Sequence, residues 1–214
     1  RFLFTCWAWA VVTLTYVIHY MVMRPLSLIL YTKDMTPISY RFAATLLAAG
    51  LYLCGIKIRC HGAREHLQKG HFVIVSNHQS LLDIPILMVA FKTRISFFAK
   101  EELKKTPILG WSLSHTGHFL VNRGKARRAF EQMKVVRAQI EGGQNVIIFP
   151  EGTRSANQRL GPLKKGAAAL ALQTGVNVLP CYIKGSGAIV SKTSFLMTPH
   201  RYVDVFIEPP IAVK

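Results

Sequence analysis

Two short stretches of this chain carry side chains of the kinds that do chemistry. The first is Ser76-Asn77-His78-Gln79-Ser80-Leu81-Leu82-Asp83. It offers an imidazole, a carboxylate and an amide within eight residues. The second is Phe149-Pro150-Glu151-Gly152-Thr153-Arg154-Ser155. It offers a hydroxyl at Thr153, a guanidinium at Arg154, and backbone that Gly152 leaves free to approach a ligand. Arginine suits bidentate binding of phosphate. A base near a phosphate-sized cation site points to chemistry on a hydroxyl of a phosphorylated molecule.

His78 and Asp83 stand five apart, which does not put them on one face of a continuous helix. With His78 on a strand-to-helix turn and Asp83 in the first helical turn, the carboxylate can reach back to the imidazole. The helix dipole also favours an acid there. Asp83 would then fix the tautomer and leave the other ring nitrogen free as a base. The residues alone keep a second reading open, a structural histidine with its hydrogen bonds satisfied. Ser80 is read as a capping or hydrogen-bonding residue. No G-x-S-x-G elbow occurs anywhere in the chain to make it a nucleophile. Two further cations, Lys100 and Arg123, follow apolar runs. Each is either a ligand contact or a plain surface charge. The spacings of Cys60, His61, His66, His71, His115 and His118 match no common metal site, so no metal is expected.

Both stretches follow short apolar runs that read as buried strands, Phe72 to Val75 and Val146 to Phe149. Their polar groups are therefore expected just past the C-terminal ends of strands, where open α/β sheets bind ligands. From Lys57 onward, strand and helix signals alternate. Strands are expected at Lys57–His61, Phe72–Ser76, Arg94–Ala99, His118–Asn122, Asn145–Phe149, Asn177–Ile183 and Tyr202–Ile207. Helices are expected at Asp83–Phe91, Glu101–Lys105, Pro107–Leu113, Lys125–Glu141 and Lys164–Thr174. In the fourth helix Ala129, Phe130, Met133, Val136 and Ile140 recur at helical spacing. Gly142-Gly143 and Gly175 provide stops. The pattern predicts an α/β domain, a mostly parallel sheet flanked by helices, over residues 57–214.

Residues 1–56 read differently. Phe2 to Met23 is almost wholly apolar and long enough to span a bilayer, for which about 20 residues suffice. It is long for a signal-peptide core, and no small-x-small cleavage signal follows it. A second apolar segment, Ile38 to Ile56, could be a span, a re-entrant helix or an interfacial helix. A membrane-associated helix that is not a clean span is expected, with a core helix of the main domain as the alternative. The division expected is N-terminal membrane-anchoring helices over 1–56 and the α/β domain after them.

Composition agrees with a lipid surface. The 214 residues are 50% hydrophobic and carry a formal net charge of +17, from 27 basic and 10 acidic side chains. Mean hydropathy is positive at +0.27. Basic and apolar together point to an anionic membrane surface rather than to nucleic acid. Residues 92–128 hold nine basic groups against Glu101 and Glu102, and Arg154, Arg159, Lys164 and Lys165 cluster without an acid. Such stretches suit lipid headgroups or an acidic carrier protein.

Taken in order, Asn77-His78-x4-Asp83, Lys100, Gly117-x-Phe119 to Arg123, Phe149 to Ser155, and Val178-Leu179-Pro180 resemble the glycerolipid acyltransferase family. Within it, the likeness is to the 1-acyl-glycerol-3-phosphate acyltransferases of the short bacterial type, over roughly residues 57 to 210. The resemblance implies acyl transfer from acyl-carrier protein or coenzyme A to the sn-2 hydroxyl of lysophosphatidate, giving phosphatidate, with no cofactor. It implies His78 as base, Asp83 as its partner and Arg154 as holder of the phosphate. Glu151, Gly152, Thr153, Lys100, Arg123 and Asn77 are implied as the rest of the substrate site. Leu163 stands where the family often has Phe. Other acceptors, glycerol-3-phosphate or another lysolipid, are the alternatives within the family. Outside it, the alternative is a non-catalytic protein binding anionic lipid. The implied location is a membrane, the bacterial inner membrane with the site facing the cytoplasm.

Overall fold

The computed structural model describes residues 1–30, 35–62, 64–121, 126–199 and 202–213, with backbone only at Gln68 and 126–133. Two long helices lead, α1 (Phe2–Leu30) and α2 (Thr36–Leu53). Then follow β1 (Lys57–Gly62), α3 (His66–Lys69), β2 (Val73–Ser76), α4 (Asp83–Phe91) and β3 (Ile95–Lys100). A 3-10 turn (Glu101–Lys105) leads to α5 (Pro107–His115), β4 (Phe119–Val121) and α6 (Ala126–Glu141). The chain continues through β5 (Asn145–Ile148), α7 (Gly166–Thr174), β6 (Val178–Lys184), α8 (Ser186–Ile189) and β7 (Tyr202–Ile207).

The seven strands form one sheet in the order β1-β7-β6-β2-β5-β3-β4. All pairings are parallel except β6 with β7. The expected α/β class with a mostly parallel sheet is thus observed. Every expected strand is present within a residue or two at each end. The segment Glu101–Lys105 is helical but of the tighter 3-10 kind. Two short helices, α3 and α8, were not expected. Each is four residues, too short to show a helical period.

Alternation along the strands divides the core in two. Val73 and Val146 point to the side covered by α6 and α7, among Val136, Ile140 and Leu170. Ile74 and Ile147 point the other way, into a larger cluster with Ile86, Leu87 and Phe91 of α4. That cluster also takes in Ala8 and Val11 of α1 and Leu47 and Leu51 of α2, so the core runs across residue 57.

Helix α1 runs past Met23, through Pro25, to Leu30. Proline there removes one N–H from the ladder and the helix continues on both sides. Its buried residues, Thr5, Ala8, Val11, Thr15, His19 and Met23, recur every three or four positions as one stripe. The rest of the surface is apolar and exposed, including Leu3, Trp7, Leu14 and Met21. Among the described residues α1 is the one helix long and apolar enough to cross a membrane. It is fastened along its length to the α/β part. Thr5 Oγ1 bonds Met197, Trp9 Nε1 donates to the Phe195 carbonyl, and His19 reaches Ser112 of α5.

Candidate active site

Adjacent, parallel β2 and β5 pair Val73 with Val146 and Val75 with Ile148. The loops that follow them therefore emerge side by side. Ser155 N–H donates to the His78 carbonyl at 2.7 Å, and His78 N–H donates to Glu151 Oε1 at 2.8 Å. Both backbone groups of His78 are held by the second stretch. Two motifs about 70 residues apart in sequence become one loop assembly.

Within it the His78 ring is fixed from two sides. It stacks on Phe149 with ring centroids 4.1 Å apart and planes 17° from parallel. Its Nδ1 lies 2.8 Å from Asp83 Oδ2. That oxygen also accepts the N–H groups of Gln79 at 2.7 Å and Ser80 at 2.9 Å. An ionised carboxylate oxygen can only accept, so Nδ1 carries the hydrogen that faces it, and in the neutral imidazole Nε2 keeps the lone pair. Asp83 is fully buried as the first residue of α4. The three N–H groups and the positive end of the helix oppose the cost of burying its charge. Among the described residues its buried Oδ1 has no hydrogen-bond partner. Ser80 Oγ accepts Leu82 N–H at 3.2 Å, a hydrogen-bonding role at the helix start.

Two residues of the expected substrate set turn inward. Asn77 is buried, and its amide exchanges two hydrogen bonds with the backbone of Ile183 in β6, at 2.9 and 2.7 Å. Glu151 is buried, with Oε1 on His78 N–H and Oε2 on Gly161 N–H at 3.1 Å. Their polar atoms are taken up in holding β2, β6 and the two loops together.

The other described members of the set line one cleft of about 670 Å³. His78, Lys100, Gly152, Thr153 and Arg154 stand around it, and most of the remaining wall is apolar, from Leu81 and Ile84 to Phe97, Leu109 and Ile147. That size is typical of a small-molecule site. Lys100 ends β3, exposed, and Arg154 is half-buried. Among the described residues neither has an ion-pair partner. Gly152 has φ +69°, and a Cβ there would lie 2.8 Å from Lys164 Nζ. Lys164 thus brings a third cation against this loop. The sequence placed it in a basic cluster without assigning it to the site. Arg123 lies outside the described residues. Tyr16 of α1 also lines the cleft, a contribution no local pattern signalled.

His118 is a contrast in the same domain. It is buried against Phe97, its Nδ1 has no hydrogen-bond partner among the described residues, and burial pushes its pKa down to about 3. It is a neutral core residue. Among the described residues no group of three or more His, Cys, Asp or Glu side chains is placed to hold a metal ion.

Residues 57–184 match the model of the family described as Acyltransferase. The chain belongs to that family. A chloroplastic 1-acyl-sn-glycerol-3-phosphate acyltransferase of Brassica napus is 39% identical over 139 residues, 65% of this chain and 40% of that protein. The 1-acyl-sn-glycerol-3-phosphate acyltransferase of Saccharomyces cerevisiae is 33% identical over 150 residues, 69% of this chain and 47% of that protein. The chain thus spans less than half the length of these relatives. The crystal structure of the 1-acyl-sn-glycerophosphate acyltransferase PlsC from Thermotoga maritima superposes with a TM-score of 0.78 at 25% identity. It covers 99% of this chain and 85% of that one. The acyltransferase match begins at β1 and ends with β6, so it contains every loop that builds the described cleft except the wall from α1.

Proposed function

We propose that this acyltransferase moves a fatty acyl group from the thioester of acyl-carrier protein or coenzyme A to the sn-2 hydroxyl of lysophosphatidate, giving phosphatidate. The observation that carries this reading is the meeting, in one largely apolar cleft, of a histidine whose Nε2 has no partner and cations that have no ion partner, both among the described residues. The relatives named above are by name acyltransferases of 1-acyl-sn-glycerol-3-phosphate or 1-acyl-sn-glycerophosphate, which supports the acceptor.

The phosphate binds Arg154, with Lys100 and Lys164 adding positive charge. The glycerol hydroxyl then points to His78. Nε2 takes the hydroxyl proton as the oxygen attacks the thioester carbonyl carbon. Collapse of the tetrahedral intermediate breaks the C–S bond, and the imidazolium returns the proton to the departing thiolate. Phosphatidate and free thiol are the products, and no acyl-enzyme forms. Asp83 stabilises the imidazolium and holds the ring. Asn77 and Glu151 position the loops, and Gly152 and Thr153 form the cleft wall beside the phosphate.

The exposed apolar face of α1 and the net charge of +17 support association with an anionic membrane surface. Because its opposite stripe is buried along the domain, we read α1 as lying in the leaflet against the protein. The similar proteins include a chloroplastic, a yeast and a Thermotoga enzyme, so we read the location as a membrane and name no compartment.

The test is an acyl-transfer assay with lysophosphatidate, glycerol-3-phosphate and other lysolipids as acceptors, each against carrier-protein and coenzyme A thioesters. Lysophosphatidate should be the preferred acceptor by kcat/KM. Preference for another acceptor, or no turnover with any donor, would overturn the reading.

A further inference from the structure

Tyr16 is the one residue of α1 in the wall of the catalytic cleft. It also borders a second cavity of about 250 Å³, an apolar groove lined by α1, α2 and α4, together with Leu81, Pro85 and Leu109. Its neighbours in the cleft wall from α4 and α5 are Ile84, Pro85, Leu109 and Leu113, all without a polar group. Tyr16 is therefore a residue with a hydroxyl on the otherwise apolar part of the wall of the cleft that His78 and Arg154 also line. Among the described residues that hydroxyl has no hydrogen-bond partner.

Its place is held firmly. One turn further along α1, His19 Nδ1 lies 2.9 Å from Ser112 Oγ of α5, and Nε2 lies 3.0 Å from Ser39 Oγ of α2. Tyr20 meets Trp111 of α5 edge-on with centroids 5.3 Å apart. A polar and aromatic clasp thus locks this stretch of α1 to the wall of the cleft.

A lysophosphatidate has three polar centres: the phosphate, the sn-2 hydroxyl and the sn-1 ester. With the phosphate on the cations and the hydroxyl at His78, the ester must lie where its acyl chain begins, among apolar side chains. A carbonyl left unpaired in such surroundings is costly, and so is an unpaired phenol. We propose that the Tyr16 hydroxyl donates a hydrogen bond to the sn-1 ester carbonyl of the acceptor. The first helix then discriminates 1-acyl acceptors from 1-alkyl ether acceptors, which lack that carbonyl. This rests on the lysophospholipid acceptor proposed above.

The experiment compares four rates, the wild type and Tyr16→Phe with 1-acyl-lysophosphatidate and with its 1-alkyl ether analogue. The wild type should favour the ester in kcat/KM by roughly ten-fold, the scale of one hydrogen bond with its unpaired carbonyl. Tyr16→Phe should lose that same factor on the ester, chiefly in KM, and nothing on the ether. Equal losses on both acceptors would make Tyr16 a packing residue, and no loss on either would remove it from recognition. Each result overturns the inference while leaving the proposed function standing. A wild type that uses no lysolipid overturns both. A wild type indifferent to ester and ether sinks the inference without any variant.

Discussion

Two His–Asp pairs in this chain have almost the same geometry and opposite surroundings. His78 Nδ1 lies 2.8 Å from Asp83, and His61 Nε2 lies 2.8 Å from Asp204. Each ring stacks on a phenylalanine at 17°, Phe149 at 4.1 Å and Phe206 at 4.6 Å. Asp83 is fully buried and takes its other bonds from backbone N–H groups, whereas Asp204 is shared with Arg59 on an open sheet face. Arg59 caps that pair with a formal positive charge, so His61 has a competitor for its carboxylate. His78 shares its carboxylate with two backbone N–H groups but, among the described residues, with no charged side chain, and its ring lines the cleft that Lys100 and Arg154 also line. A His–Asp contact is therefore not a site by itself. Burial of the acid, a carboxylate with no competing cation among the described residues and an adjoining cavity separate the two.

The largest expected effect lies in the buried pair. His78→Ala should lower kcat by about 10²–10⁴-fold, the usual contribution of a general base, with the fold retained but less stable, because the buried Asp83 loses one of its donors. His61→Ala should leave kcat as it is. Near-normal turnover in purified His78→Ala would make the two pairs equivalent and end the base assignment.

Much of this contrast was legible in the sequence, and its limits are instructive. The strand before His78 and the helix beginning at Asp83 were both readable, because a buried apolar run and an acidic helix start are local signals. Their union with Glu151-Gly152-Thr153-Arg154 rested on resemblance, since register between β2 and β5 is a tertiary fact. The inward turn of Asn77 and Glu151 was not legible. Either type serves equally to touch a ligand or to tie backbone, and partners such as Ile183 and Gly161 appear only on folding. Tyr16 was invisible for the same reason. Inside an apolar helix its spacing to His19 reads as a stripe, while its role depends on α1 packing beside α4 and α5.

The phosphate end gives the next effect. Arg154→Ala should raise KM for the lysolipid by roughly ten- to a hundred-fold, as expected for about 1.5–3 kcal/mol from a charged hydrogen bond. Steady-state kinetics check it, and added salt should weaken wild-type binding more than the variant's. An unchanged KM and kcat would take Arg154 out of the site. Glu151→Gln comes third. It places an amide N–H against one of two backbone donors, His78 or Gly161, at a cost of about 1–3 kcal/mol. Thermal denaturation should show the loss of stability, and kcat should fall with it because the His78 backbone is released. Loss of stability without loss of kcat would mean that this anchor does not set the position of the base.

The smallest effect belongs to the exposed pair, and it is a matter of pH. Hydrogen bonds from Arg59, and then from His61, hold the Asp204 pKa down to about 2. A carboxylate depressed on folding stabilises the native state above its ordinary pKa of 3.8, and the contribution disappears as pH falls towards the folded value. Asp204→Asn removes this term. The variant should therefore lose less stability than the wild type between about pH 4 and pH 2, as followed by denaturant unfolding at each pH. At neutral pH, where the term is fully present, the wild type should be the more stable of the two, by a margin kept small because solvent screens an exposed pair, and the two should converge towards pH 2. Acyl transfer should be the same in both. If Asp204→Asn instead abolished turnover with the fold intact, the open sheet face would be part of the catalytic apparatus. Burial would then fail to tell an active His–Asp pair from an ornamental one.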